Sequence, residues 1–201
     1  MSDGVRLLTL DEAKQAIGES GLAELIASFS CPLNKEVESY LKDASKAIQS
    51  SLMSSSVTYL VLDLNTGDLL GYFTLMMKAY LVKAADLSSA NRRLVKRCSE
   101  VDSAGNLNAA VYLIAQIGKN LSVSEETQIQ GAELLELALS RLRVTKKAIG
   151  GKLVMVERES DQPKLFDFYS NNGFKSWTTR RNAKDGMVYD QMFTIPSLPL
   201  R

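Results

Sequence analysis

The chain has no histidine among its 201 residues, and it has one tryptophan, two cysteines and four prolines. Without imidazole there is no Ser-His-Asp triad, no Cys-His pair and no His-ligated zinc or haem. Proton transfer is left to Tyr, Asp, Glu, Lys, Cys, water or the α-amino group. Cys31 and Cys98 are far apart and in no metal-ligand spacing, so the pattern implies no metal. An excess of one charge is missing too. Basic residues number 24 and acidic ones 23, a net charge of +1. That balance argues against a partner held by bulk electrostatics, whether nucleic acid or anionic membrane. No apolar run approaches a membrane-spanning length, and the N-terminus lacks a signal peptide's apolar core. These absences are read as a cytoplasmic protein whose two thiols stay reduced.

What is present suits one sizeable α/β domain over residues 1–201, with 45% apolar and 23% charged residues and no repeat or linker. Positions 5–10 read as a first strand. Thr9 and Glu12 form a capping-box pattern, which starts a helix near Asp11 that runs to about Ser20, and a second helical segment covers 22–29. Residues 34–53 carry Val37, Tyr40, Leu41, Ala44, Ala47 and Ile48 at helical spacing. Residues 57–63 and 69–77 read as a hairpin. A helix within 86–95, a polar loop over 96–108 and a strand over 109–117 follow. Residues 128–147 form the most regular helix, with Arg141, Arg143, Lys146 and Lys147 in its last turns, where they suit the dipole. Strands at 174–180 and 187–194 close the chain, joined by a polar connection with an Asp185-Gly186 turn signal.

The richest stretch is 150–174. A buried strand begins at Leu153, a polar break follows in which Ser160 or Asp161 can cap, and Pro163 stands where a first-turn proline is tolerated. Leu165, Phe166, Phe168 and Tyr169 make an apolar stripe that Gly173 can end. On residues alone this is equally an amphipathic helix packing aromatics into a core. The strand, helix and Phe-Tyr-x-x-x-Gly-Phe run resembles the end of the GNAT superfamily of N-acetyltransferases. The resemblance spans about residues 29–194. Within it, Phe29-Ser30-Cys31 ahead of a helix and Leu70-Gly71-Tyr72-Phe73-Thr74-Leu75 look like a bacterial subgroup, some of whose members are toxins that acetylate aminoacyl-tRNA.

The resemblance implies a twisted, mixed, mostly antiparallel sheet of about six or seven strands flanked by helices, with two central strands splayed. It implies acetyl-CoA as cofactor and direct transfer of acetyl to a primary amine of a small molecule or peptide. In that scheme Gln116, Ile117, Gly118 and Lys119 end the first splayed strand, where an Ile117 amide would polarise the thioester carbonyl. The family's diphosphate motif, Arg/Gln-x-x-Gly-x-Gly/Ala, falls on residues 126–131. Gln128, Ile129, Gln130, Gly131 and Ala132 would then face the diphosphate at a helix start. Only Gly131 survives of that motif. Glu126 stands where a basic or neutral residue is usual, and Ile129 where a glycine is. Gln162 takes the place of a pantetheine-binding Asn, Tyr169 that of the general acid, and Glu157 or Glu159 could accept the ammonium proton.

Two other functions remain open on the same fold. One is a CoA-sensing or protein-interaction module without catalysis, which Glu126 and Ile129 motivate. The other is acetylation of aminoacyl-tRNA, for which Arg92, Arg93, Lys96 and Arg97, and Arg180, Arg181 and Lys184, are basic clusters, though such runs also serve as solvated faces. The closing strands could pair across a homodimer.

Overall fold

The computed structural model describes residues 4–183 and 186–196; Lys184 and Asp185, named above in a basic cluster and a turn, lie outside the described residues. Among the described residues, eight strands, β1 (Val5–Thr9), β2 (Val57–Asp63), β3 (Leu69–Val82), β4 (Ser99–Val101), β5 (Leu107–Lys119), β6 (Leu153–Glu159), β7 (Lys175–Arg181) and β8 (Val188–Thr194), form one mostly antiparallel sheet in the order β1-β2-β3-β5-β6-β8-β7, with β4 paired to β5. The chain groups into two compact units. One comprises Met1–Met76 and Ile114–Ala138, the other Met77–Leu113 and Leu139–Arg201. Strands β3 (Leu69–Val82) and β5 (Leu107–Lys119) and helix α5 (Gly131–Ile149) run through both.

In the first unit, β1 (Val5–Thr9) pairs antiparallel with β2 (Val57–Asp63), and β2 with β3. The capping box forms as the sequence predicts: the Thr9 hydroxyl accepts from the Glu12 amide at 3.1 Å, and the Thr9 amide donates back to the Glu12 carboxylate at 2.7 Å. Helix α1 (Leu10–Ala27) breaks at Gly18, whose φ of 74° suits a residue without Cβ. The single helix expected over 34–53 is two, α2 (Lys35–Lys42) and α3 (Ala47–Leu52). Asp43 divides them: its Oδ1 accepts from the Ser45 amide at 2.9 Å and hydroxyl at 2.6 Å, a local turn that competes with helical bonding. These helices bury Leu10, Ala13, Leu22, Ile26, Val37 and Leu41 together with Leu60, Leu69 and Tyr72 of the strands.

In the second unit, α4 (Ser89–Lys96) precedes β4 (Ser99–Val101), which pairs with the start of β5. The polar loop expected over 96–108 is thus a hairpin, and β4 is the strand beyond the predicted six or seven. Its turn is held by Asp102, whose carboxylate accepts from the Ala104 and Asn106 amides, so the polar residues that suggest a loop are the turn itself. β3 continues five residues past its predicted end at 77. Its outer residues Met77 and Leu81 are exposed, which erases the alternation a half-buried strand would show. β6 (Leu153–Glu159) pairs antiparallel with β8 (Val188–Thr194), and β8 with β7 (Lys175–Arg181). A register shift between Ser176 and Thr178 places Trp177 in a bulge. Helix α6 (Pro163–Asn171) begins with proline as predicted, but Gln162, not Ser160 or Asp161, is its cap residue. The Ser160 hydroxyl is engaged elsewhere, with Asp190 at 2.6 Å. Gly173, at φ 83°, ends the helix.

Candidate active site

The first unit holds the residues assigned to the cofactor arm and diphosphate, except Gln162, which lies in the second. Gln116, Ile117 and Lys119 are half-buried at the end of β5, and Gly118 is buried between them. A Cβ on Gly118 would lie 2.4 Å from Val37 Cγ1 of α2 and 3.4 Å from Phe29 Cζ. Glycine at 118 therefore admits a packed helix on that side. The same corner binds Phe29 edge-on to Tyr72 at 5.2 Å, and the Tyr72 hydroxyl donates to the Val37 carbonyl at 2.6 Å. The Phe-x-Cys segment, the helix after it and the Gly-Tyr-Phe strand thus meet at one point, with the Cys31 thiol 3.8 Å from the position of a Gly118 Cβ. Burial pushes the Cys31 thiol pKa up, which keeps it an apolar filler instead of a nucleophile.

Beyond β5, residues 121–130 form a loop to α5. The Thr127 and Gln128 amides both donate to the Ser124 carbonyl, at 3.0 and 3.1 Å, and the Gln128 side chain donates to the Val123 carbonyl at 3.3 Å. Ile129 is 4% exposed and enters the core, whereas Glu126, Gln130 and Ala132 are exposed. The Leu134 amide donates to the Gln130 carbonyl at 3.0 Å. The amides of Gly131, Ala132 and Glu133 precede that bond and have no intrahelical acceptor, the ordinary state of a helix start. Such donors and the helix dipole together favour an anion.

The second unit holds the candidate catalytic groups. Tyr169 is 6% exposed, edge-on to Phe168 at 5.1 Å and to Phe174 at 5.5 Å. Burial pushes its pKa up to about 12, and its hydroxyl has no hydrogen-bond partner among the described residues. Glu157 is more engaged. Its Oε1 accepts from the Gln191 amide at 2.6 Å, from Arg180 Nε at 3.1 Å and from the Tyr80 hydroxyl at 3.2 Å, and its Oε2 accepts from Arg180 at 3.1 Å. Burial alone would raise the Glu157 pKa. The Arg180 and Gln191 bonds, the Arg180 charge and the Tyr80 hydroxyl outweigh it and hold the carboxyl below its usual value. Glu159 accepts from the Gln162 side chain at 2.7 Å, which occupies the amide assigned to the pantetheine. On the opposite face of β6, the buried Arg158 is paired with Asp190 and donates to the Glu159 and Gln162 carbonyls at 2.8 and 2.9 Å.

Glu157 and Glu159 therefore sit in separate polar groups on β6, and neither bonds to Tyr169 among the described residues. The sequence does not foretell the residues gathered around Glu157. Tyr80 lies past the predicted end of its strand, and Arg180 reads as one of a cluster of surface cations. Gln191, 4% exposed beside Met192 and Phe193, is the one legible signal: a polar residue inside an apolar strand has to find a buried partner.

No model of a known protein family matches the sequence, and no curated protein matches it by sequence. Solved structures do match its fold. AtaT complexed with acetyl-methionyl-tRNAfMet is 15% identical, with 95% of this chain and 94% of that one covered and a TM-score of 0.62. AtaTR bound with AcCoA is 16% identical, with 93% of each chain covered and a TM-score of 0.58. A point mutant of KacT is 17% identical, with 93% of this chain and 94% of that one covered and a TM-score of 0.58. The chain has the fold of these proteins over nearly its whole length, the GNAT-like fold that the Phe168-Tyr169 resemblance implied.

Proposed function

We propose that residues 1–201 act as one acyltransferase domain that moves acetyl from acetyl-CoA to a primary amine in a ternary complex. The observation that carries this is Tyr169. A buried phenol with a pKa of about 12 is neutral at any physiological pH, and its hydroxyl is unspent, free to donate to a leaving thiolate. Full transfer to a thiolate whose acid titrates near about 8.5 would be uphill, so hydrogen-bond donation to the sulfur is its main contribution. When bound, acetyl-CoA supplies the activated acyl group. The chain's part is to hold it: the first amides of α5 toward the diphosphate, the end of β5 along the pantetheine, and the Ile117 amide at the thioester carbonyl. That AtaTR has been seen bound with AcCoA on the same fold supports the cofactor.

Glu157 enters this reading as a fixed anion, since a carboxyl below its usual pKa and shared among three donor residues is a weak base. Glu159, whose carboxylate accepts one side-chain hydrogen bond, from Gln162, is the carboxylate left to take the ammonium proton. Such chemistry belongs in the cytoplasm, where acetyl-CoA is made and thiols stay reduced.

A second acceptor is favoured by two observations. AtaT has been captured with acetyl-methionyl-tRNAfMet, and α4 here exposes Arg92, Arg93 and Lys96, with Arg97 beyond it. The other basic cluster offers less, because Arg180 is bound to Glu157. Titration of acetyl-CoA by calorimetry, followed by acetyl transfer to an amine panel and to charged tRNA at low and high salt, tests both. Absence of acetyl-CoA binding at millimolar concentration would end the enzyme reading and leave the interaction module. Transfer confined to charged tRNA, and lost with salt, would select the tRNA acceptor.

A further inference from the structure

Asn120 follows β5 directly and is 1% exposed. Every hydrogen-bonding atom of its side chain is used. Nδ2 donates to the Leu69 carbonyl at 2.8 Å and to the Ser28 carbonyl at 3.3 Å. Oδ1 accepts from the Ser30 amide at 2.8 Å and the Ser122 amide at 3.1 Å, with the Ser122 hydroxyl 2.8 Å away. Its own amide donates to the Leu70 carbonyl at 2.8 Å, and the Leu121 amide to the Ser30 carbonyl at 2.8 Å. Three segments of the first unit meet on this one amide: the approach to α2, the start of β3 and the loop to α5.

A diphosphate loop is ordinarily shaped by glycines that let main chain turn tightly and close on the ligand. Residues 126–131 retain Gly131 alone. The loop therefore takes its shape from side-chain ties, Ile129 sunk in the core at one end and Asn120 at the other. We propose that Asn120 is a positioning residue for the cofactor diphosphate: by pinning residues 120–122 it sets the path of the loop and so the placement of the first α5 amides. This rests on the acetyl-CoA reading above. It also assigns a purpose to a fully satisfied buried amide at a strand end, where an apolar residue would fill the same space at lower desolvation cost.

The test compares wild type, Asn120→Leu and Asn120→Asp, using acetyl-CoA calorimetry together with amide hydrogen exchange. The Leu variant removes every side-chain tie at similar volume. The Asp variant keeps the acceptor for the Ser30 and Ser122 amides and loses the donation to Leu69 and Ser28. Expected is a weakening of acetyl-CoA binding by about 10- to 100-fold in Asn120→Leu, as other orienting residues behind a ligand show, with Asn120→Asp between. Exchange in residues 121–133 should quicken in the ligand-free variants while the strands of the second unit keep wild-type protection. If wild type binds acetyl-CoA and a folded Asn120→Leu binds it equally well, the proposal is overturned and the cofactor reading stands. Equal quickening of exchange across the whole first unit would also overturn it, because Asn120 would then hold the fold and not the loop. If wild type itself does not bind, the cofactor reading fails and the proposal goes with it.

Discussion

A Cβ at Gly118 would stand 2.4 Å from Val37 Cγ1, a separation real side chains do not adopt. The end of β5 and helix α2 are thus in contact only because position 118 has no side chain. Gly118→Ala should destabilise the protein by about 1–3 kcal/mol through overpacking. Val37→Ala removes the colliding methyl groups, so the double variant should recover part of that loss. Urea unfolding of the four proteins measures the coupling. Strictly additive effects would mean that α2 shifts away freely and that the corner is not packed as described.

Tyr169 has a different signature. Its hydroxyl bonds to nothing among the described residues, so Tyr169→Phe should leave stability within about 0.5 kcal/mol of wild type. Acetyl transfer, in contrast, should fall by roughly 10²- to 10⁴-fold with acetyl-CoA affinity kept, the pattern of a lost general acid. The pKa of about 12 is raised above that of an unfolded tyrosine, about 10. The stability this represents is fully present below pH 10 and is lost as pH rises through 12. Wild type should therefore lose more stability than Tyr169→Phe across that window, and identical alkaline curves would contradict the burial of the phenol.

The Glu157 pair titrates in the opposite sense. Its carboxyl is held below the usual glutamate value, so its stabilisation is present above the unfolded pKa and fades as pH falls through the lower folded one. Glu157→Gln keeps the shape but loses the charge that Arg180, Gln191 and Tyr80 converge on. At pH 7 it should cost about 1–2 kcal/mol, in line with hydrogen bonds to a charged group. Below about pH 4.3 the ordinary carboxyl range is passed and the gap to wild type should narrow. Arg180 is 43% exposed in its side chain, so solvent screens the ion pair and most of the effect should come from Tyr80 and Gln191. Urea unfolding as a function of pH reads this out, and a gap that widens at low pH would reverse the assignment.

Strands with β-branched, apolar runs are legible from sequence: residues 57–63 and the strand from Leu153 emerge where the pattern puts them. Thr9 and Glu12 mark the first helix because a capping box needs only residues three apart. Periodicity fails at exposed places. The tail of β3 with Lys78 and Leu81 in solvent, and the three-residue β4, present no alternation to read. The Asp43 break in the second helical region is set by one side chain bonding its own turn, which helical spacing on either side conceals. At the candidate site, Tyr169 is legible because an aromatic pair, a glycine stop and a preceding strand lie within one short segment. Asn120, and Tyr80 and Arg180 as donors to Glu157, are not, because most of their partners are 23 or more residues distant, and those of Asn120 are mainly backbone carbonyls and amides.

Ile129 gives the sharpest contrast between sequence likeness and physical environment. Restoring a glycine there would rebuild the motif on paper, yet the side chain is 4% exposed and is an anchor of the loop. Ile129→Gly should therefore destabilise the protein by about 3–5 kcal/mol, combining loss of a buried aliphatic group with added backbone freedom. It should weaken acetyl-CoA binding as the loop loosens. The exposed Glu126 lends itself to improvement instead, because its carboxylate contributes only repulsion to a diphosphate at the start of α5. Glu126→Gln is expected to tighten acetyl-CoA binding a few-fold at low salt, and the gain should shrink as ionic strength rises past about 0.15 M, where charges beyond about 8 Å are screened. Calorimetric titrations at two salt concentrations decide it. A gain in affinity from Ile129→Gly would overturn Ile129 as an anchor of the loop, and no gain from Glu126→Gln at low salt would place the diphosphate somewhere other than the start of α5.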